Sequence, residues 1–144
     1  VYVMRIALEG IAVERACALL GKEGLEELEE YVVSARKALE RKDRGEWARC
    51  NREFHLRLAA ASRMPLLTRE IGSLIDLSAF YGRMFWRQIP QSFANARDQH
   101  QAIVDACREG DAAEATRLLQ EHLKASAASY MAQVKRAREL EVKT

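Results

Sequence analysis

The stretch from residue 24 to residue 42 reads GLEELEEYVVSARKALERK. Its apolar residues recur every three or four positions and form one stripe: Leu25, Leu28, Tyr31, Val32, Ala35 and Leu39. The opposite face is charged, with acidic residues first and basic residues after them, which suits the dipole of a helix. This spacing is typical of an amphipathic α-helix that buries one face.

The same spacing of apolar positions runs through nearly the whole chain. It predicts six helices, at about 4–20, 24–42, 44–61, 65–86, 91–108 and 112–139. Residues 87–92, around Pro90, are predicted to connect the fourth and fifth helices. No segment alternates between apolar and polar residues as a strand would, so the pattern predicts an all-α bundle.

Local signals support several of these boundaries. Asp43 and Asp111 are well placed to cap the third and the last helix, and Pro65 suits the first turn of the fourth. The fourth helix has the most apolar residues of the six. We therefore expect it to be a central, mostly buried helix.

Length and composition limit the classes of protein that the chain can represent. One domain, residues 1–144, accounts for the length, and 49% hydrophobic with 31% charged residues is typical of a soluble globular protein. The net charge of +2 is too small to indicate nucleic-acid binding by this chain alone. No run of 18 apolar residues is present, so no membrane span is expected.

The three cysteines, Cys17, Cys50 and Cys107, are odd in number and widely spaced. They do not have the spacing of a disulfide framework or of a CxxC metal motif, so a reducing, cytoplasmic setting is expected. The chain starts at Val1 and enters a helical pattern almost at once, which suggests a domain of a longer protein.

The three histidines of the chain, His55, His100 and His122, each lie in the middle of a different predicted helix. Each shares a helix face with apolar residues, and Asn51 lies one turn before His55 on the same face. A buried imidazole without a partner is costly. One divalent ion shared by three imidazoles and an amide oxygen would satisfy all of them, and such a ligand set suits Zn, Ni, Cu or Fe.

The histidines also have a simpler interpretation. A single histidine on a helix is most often a satisfied core or surface residue, and the three are then unrelated. Spacing alone leaves both interpretations open, because the compact zinc motifs HxxxH and HExxH are absent.

Several short motifs occur in a specific order along the chain. They are Arg5-x-x-Leu8-Glu9-x-x-Ala12, Asn51-x-x-Phe54-His55, His100 with Ile103 and Ala106, Gly110-Asp111 with Ala115, and His122-Leu123. This ordered set covers nearly the whole chain. It resembles the FCD domain, the ligand-binding C-terminal domain of the FadR subfamily of GntR-type bacterial transcription regulators.

The resemblance implies an antiparallel bundle of six to seven helices around a central cavity. In such domains an Asp or Asn and three histidines ligate a metal, which here corresponds to Asn51, His55, His100 and His122, with Zn or Ni expected as the ion. Many relatives have Asp at the position of Asn51, and a neutral amide binds a hard cation less strongly than a carboxylate does. A small organic acid commonly completes the metal's open positions in this family.

A carboxylate effector favours a second cation beside the metal. Arg5 occupies a position similar to that of a family arginine that faces the pocket, and Arg97 lies one turn before His100. Arg52 borders the face of Asn51 and is a weaker candidate, and Ser62 is a candidate for the cavity wall. For each arginine the alternative is an ordinary solvated surface residue.

These observations lead to three hypotheses. The first is the effector-sensing and oligomerisation domain of a transcription regulator, expected to be a homodimer, with a winged-helix DNA-binding domain upstream of Val1 and no DNA binding of its own. The second is a metal-dependent hydrolytic enzyme, against which stands the lack of an evident general base beside the ligands. The third is a metal-free helical interaction module whose histidines are satisfied separately.

Overall fold

The computed structural model describes residues 1–85 and 92–141, except for the side chains of residues 84, 85, 92–97, 140 and 141. Six helices follow one another: α1 Tyr2–Leu19, α2 Lys22–Glu40, α3 Arg44–Ala61, α4 Pro65–Phe85, α5 Ser92–Arg108 and α6 Ala112–Glu141. The two described segments contain no strand. The prediction of an all-α bundle is therefore confirmed, and the connection expected around Pro90 lies outside the described residues.

Two of the helices, α3 and α6, begin at an aspartate that caps them. The backbone N–H of Glu46 donates to Asp43 Oδ1 at 3.0 Å, and the N–H of Glu114 donates to Asp111 Oδ1 at 3.0 Å. Each aspartate thereby satisfies a donor that has no partner inside its helix. After α5 the chain turns at Gly110, whose φ of +73° lies in the left-handed region that glycine adopts without strain.

The central helix of the bundle is α1, which packs against α3, α4, α5 and α6. Its buried face includes the small residues Gly10, Ala12 and Ala16, which let neighbouring helices come near. The main core forms where the inner stripes of α1, α2, α3, α5 and α6 meet, and its large members include Leu28, Phe54, Leu58, Ile103, Leu119 and Leu123. The same face of α1 also buries two charged residues, Arg5 and Glu9.

The expectation that α4 is the central, mostly buried helix is wrong. α4 buries one stripe, with Ile71 and Ile75 at most 2% exposed, but Leu66 is 68% and Phe80 52% exposed. The reason is that α4 packs on the outside of the bundle, against α1, α3 and, more narrowly, α6. An apolar composition indicates that part of a helix is buried, but it does not show which neighbouring helix packs on each of its faces.

The helices of the described segments do not have the character of membrane spans. None of them is both long enough and apolar enough to cross a bilayer. In the long helix α6, for example, the longest run without a charged residue is 125–134, which is too short to span a bilayer.

Candidate metal centre

Three buried histidines from three helices meet inside the bundle. His55 comes from α3, His100 from α5 and His122 from α6, and each is at most 4% exposed. One ring nitrogen of each lies within 4.8 Å of those of the other two. A tetrahedral ion with metal–nitrogen bonds of 2.0–2.1 Å holds its ligand nitrogens about 3.3 Å apart. Small ring movements would therefore bring all three nitrogens onto one ion.

The buried apolar face of each helix places its histidine ring in the cluster. The ring of Phe54, which is 1% exposed, stacks on His100 with centroids 4.2 Å apart and an angle of 22° between the planes. His100 shares the inner face of α5 with the buried Ile103 and Val104. His122 lies one turn after Leu118 and Leu119 on α6, so burial of these apolar faces also buries the imidazoles.

Two side chains outside the cluster orient the rings. His55 Nδ1 lies 2.7 Å from Glu9 Oε2, and His122 Nδ1 lies 2.9 Å from Gln99 Oε1. Both oxygens accept hydrogen bonds, so in the neutral form of each ring Nδ1 carries the hydrogen and Nε2 keeps its lone pair. This arrangement is the usual one for histidines that bind a metal through Nε2.

His100 and His122 contact each other directly, with their Nε2 atoms 3.1 Å apart. Because His122 carries its hydrogen on Nδ1, its Nε2 is an acceptor, and His100 donates its Nε2–H to it. A cation at this point would replace that hydrogen as the group that the two rings share. The donor chemistry and the short separation both fit a divalent ion.

Glu9 is the functional candidate to which sequence reasoning assigned no role. It is 2% exposed and accepts from Arg5 Nε at 2.6 Å as well as from His55. Burial by itself raises the pKa of this carboxyl group, but the charges and hydrogen bonds of His55 and Arg5 outweigh it and lower the pKa to about 2. The spacing of Arg5 and Glu9, one turn apart on an otherwise apolar face, was the signal in the sequence.

Arg5 extends this charged contact toward α4. The guanidinium is 4% exposed, and its Nη1 donates to Ser78 Oγ at 3.0 Å. Its second amino group, Nη2, is buried and has no hydrogen-bond partner among the described residues. The positive charge of Arg5 also lowers the pKa of His100 and of His122. Arg5 and His55 already share one anionic group, because both donate to the carboxylate of Glu9.

Asn51 and Ser62, the two uncharged candidates besides the histidines, both lie on or at the end of α3. Asn51 is half-buried on α3, one turn before His55. Ser62 is fully buried, but its hydroxyl donates to the carbonyl of Ala59 at 2.6 Å and accepts from the N–H of Met64 at 3.3 Å. Its hydrogen-bonding capacity is therefore used at the end of α3.

The two remaining arginine candidates lie on different helices. The Arg52 side chain is 39% exposed and donates to Asp76 at 2.6 and 3.0 Å and to Glu53 at 3.0 Å. It forms a bridge between α3 and α4 and is not brought into the histidine cluster. Arg97 belongs to α5, but its side chain lies outside the described residues.

Burial determines the charge of two of the imidazoles. It lowers the pKa of His100 well below the usual value, with the charges of His122, His55 and Arg5 adding to the effect. The pKa of His122 falls to about 3, again mainly by burial and further by His55 and Arg5. Both rings are neutral near pH 7, which is the form that binds a metal.

The metal-free protein should lose stability between about pH 7 and pH 5. Below the ordinary histidine pKa of about 6.5, the unfolded chain binds protons that His100 and His122 do not bind in the folded state. The free energy of unfolding therefore decreases as the pH is lowered, by up to about 1.4 kcal/mol per pH unit for each histidine. Urea denaturation in the presence of a chelator, repeated at several pH values, measures how the free energy of unfolding depends on pH. His122→Gln should remove the contribution of one histidine to that dependence. A free energy of unfolding that stays constant over this range would contradict the burial argument.

Comparisons with known proteins give the fold and the family. No curated protein matches the chain. Among solved structures, E. coli McbR/YncC superposes with a TM-score of 0.82 at 24% sequence identity, over 92% of this chain and 63% of that one. The two proteins share the fold, and the present chain spans less than two thirds of the length of McbR/YncC.

The model of the FCD domain family matches residues 1–125. This match includes the three buried histidines together with Arg5, Glu9 and Asn51. It confirms the resemblance that the ordered motifs indicated. The chain belongs to the FCD domain family.

Proposed function

We propose that this chain is the effector-sensing domain of a GntR-type transcription regulator. A divalent ion, Zn or Ni, is held by His55, His100 and His122 with Asn51 as the fourth ligand, and it anchors the carboxylate of a small organic acid. The observation that carries the proposal is the convergence of three buried imidazoles, with one ring nitrogen of each within 4.8 Å of the others.

The charges around the cluster favour an anionic effector. Three neutral imidazoles and a neutral amide leave the full double charge on the ion, whereas an aspartate at position 51 would halve it. The negative charge of Glu9 is already compensated by Arg5, to which it is bonded at 2.6 Å. The carboxylate of an effector would neutralise charge on the ion, and no protein carboxylate would compete with it for that position.

Arg5 is the cation that we assign to the effector. Its buried Nη2 has no partner among the described side chains, and a buried donor without an acceptor is costly. Arg97 remains a second candidate of the same kind. Ser62 contributes to the wall only, because its hydroxyl is bonded to the backbone. Arg52 would first have to leave Asp76, so we assign it no primary role.

Effector binding at this place acts on most of the bundle. Arg5 belongs to α1, and the proposed metal ligands belong to α3, α5 and α6. An acid that bridges the ion and Arg5 binds best to one arrangement of these helices, and it shifts the population toward that arrangement. The DNA-binding domain expected upstream would respond through α1, and the regulator would work in the cytoplasm.

The hydrolytic enzyme is the weaker candidate. The carboxylate nearest to the histidines is Glu9, which is locked by Arg5 and His55. A group with a pKa of about 2 is a poor general base near neutral pH. The metal-free interaction module has one observation in its favour, because the 3.1 Å contact between His100 and His122 satisfies both rings without an ion.

The proposal includes a homodimer. Exposed apolar side chains lie on α1, at Val3, Met4 and Ile11, and on α4, at Leu66, Leu77, Phe80 and Tyr81. The two helices pack against each other, and Val3 and Tyr81 line one shared surface pocket. A second copy of the chain would cover this continuous apolar surface.

Metal binding is tested by titrating the chelator-treated protein with Zn or Ni. We expect one ion per chain. His100→Ala should abolish binding, Glu9→Gln should weaken it by about 10- to 100-fold through loss of ring orientation, and Asn51→Asp should strengthen it. Gln101→Ala, a neighbour of His100 that contacts Asp105, is the matched control and should bind like the wild type. Absence of binding of either ion to the wild type would contradict the Zn or Ni site and support the metal-free module.

Effector binding is tested by thermal unfolding of the zinc-loaded protein with acetate or citrate. A ligand that binds only the native state raises the unfolding temperature. We expect a rise with the acids, none with acetamide, and a reduced rise in Arg5→Gln. Arg15→Gln removes another arginine of α1, one that bonds the carbonyl of Ser62, and should behave like the wild type. An equal rise in Arg5→Gln and wild type would refute the role of Arg5.

The dimer is tested by gel filtration with light scattering, which measures the mass of the protein as it elutes. Ile11→Glu places a charge in the proposed interface and should shift the mass from two chains to one, because burying an unpaired charge is costly. Val33→Glu is the matched control, since Val33 is 37% exposed on α2, away from this surface. A monomeric wild type at micromolar concentration would contradict the dimer.

A further inference from the structure

Two of the three cysteines lie against each other in the core. Cys17 Sγ on α1 and Cys107 Sγ on α5 are 2.9 Å apart, although 90 residues separate them along the chain. The two residues are 6% and 4% exposed. Cys50 lies elsewhere, in the small cluster between α2 and α3 that also contains Trp47. The metal centre and its proposed effector use neither member of the pair.

We propose that Cys17 and Cys107 form a reversible disulfide within the chain when the protein meets a hydroperoxide. A disulfide bond is about 2.0 Å long, so the two sulfur atoms must approach by about 0.9 Å. Both cysteines lie in the last turns of their helices, since α1 ends at Leu19 and α5 at Arg108. The last carbonyls of a helix have no partner within it, and a small adjustment there breaks few hydrogen bonds.

The contact between the thiols assigns different roles to the two sulfur atoms. The contact lowers the pKa of the Cys17 thiol, because Cys107 can donate its S–H to a Cys17 thiolate, and it raises the pKa of Cys107. Burial and the charge of Asp111 oppose the effect at Cys17 but are the smaller contributions. Cys17 is therefore the thiolate that attacks the oxidant, and Cys107 is the thiol that resolves the product.

The reaction balances with one hydroperoxide per disulfide. The Cys17 thiolate attacks one peroxide oxygen, the O–O bond breaks, and the leaving oxygen takes a proton and departs as water or alcohol. Cys107 sulfur then attacks the sulfenic sulfur, the S–O bond breaks, and the hydroxyl leaves as water with the Cys107 proton. Two electrons pass from the sulfur atoms to the peroxide.

The bond would join the two helices that carry Glu9 and His100. Cys107 lies seven residues after His100 and Cys17 eight residues after Glu9, so the thiol pair is about 10–12 Å from these residues along the helix axes. The disulfide would close a loop of 90 residues and restrict the unfolded chain. It would thereby fix α1 against α5 without contact with any proposed metal ligand.

The test treats the full chain with hydrogen peroxide, blocks the remaining thiols with iodoacetamide in denaturant, and measures mass. We expect the chain to carry a single carbamidomethyl group, on Cys50, and to be about 2 Da lighter than the reduced chain with one such group. Trypsin should release residues 16–22 linked to residues 98–108, and dithiothreitol should separate them. Three thiols after treatment, a stable sulfinic acid at Cys17, or a disulfide that includes Cys50 or a second chain would each overturn the proposal.

Matched variants identify the pair. Cys50→Ser should lose about 2 Da like the wild type, whereas Cys17→Ser and Cys107→Ser should not. Because both positions are buried, circular dichroism checks that these variants fold, and Cys17→Ala and Cys107→Ala replace any that do not. Loss of mass in a folded variant that lacks either Cys17 or Cys107 would also refute the proposal.

Discussion

The buried contact among Arg5, Glu9 and His55 is the interaction on which the rest of the structure depends. It places opposite charges at the centre of a helical bundle, where an unpaired charge is strongly destabilising. Arg5 Nε and His55 Nδ1 each donate to one oxygen of Glu9, at 2.6 and 2.7 Å. The contact joins α1 to α3 and, through the bond from Arg5 to Ser78, to α4. The central position of α1 is possible because its two buried charges compensate each other.

The properties of the histidine cluster follow from the same burial. Removal from water keeps His100 and His122 neutral. Glu9 holds the hydrogen of the His55 ring on Nδ1, and Gln99 does the same for His122. The low-polarity surroundings that make these imidazoles good ligands also leave Arg5 Nη2 without an acceptor in the part of the chain that the structure describes. One arrangement thus combines the three imidazoles that we propose for the ion with the arginine that we propose for the anion.

The thiol pair belongs to the same two helices as part of this cluster. Cys17 follows Glu9 on α1, and Cys107 follows His100 on α5. Any change in the packing of α1 on α5 therefore alters both the imidazole geometry and the separation of the sulfur atoms. Protein interiors are close-packed, so such a change is transmitted along rigid helices and not absorbed locally.

The sequence by itself determined the local structure, because helix spacing and caps depend on near neighbours. The apolar stripes, the caps at Asp43 and Asp111 and the start at Pro65 predict the six helices to within about two residues. The ordered motifs also indicated the FCD family, and they directed attention to His55, His100 and His122. Tertiary structure alone decided that α1 and not α4 is central, that Glu9 bonds His55, and that Cys17 meets Cys107. The last two outcomes depend on contacts between residues 46 and 90 positions apart, and no local pattern of apolar and polar residues encodes which faces of which helices meet.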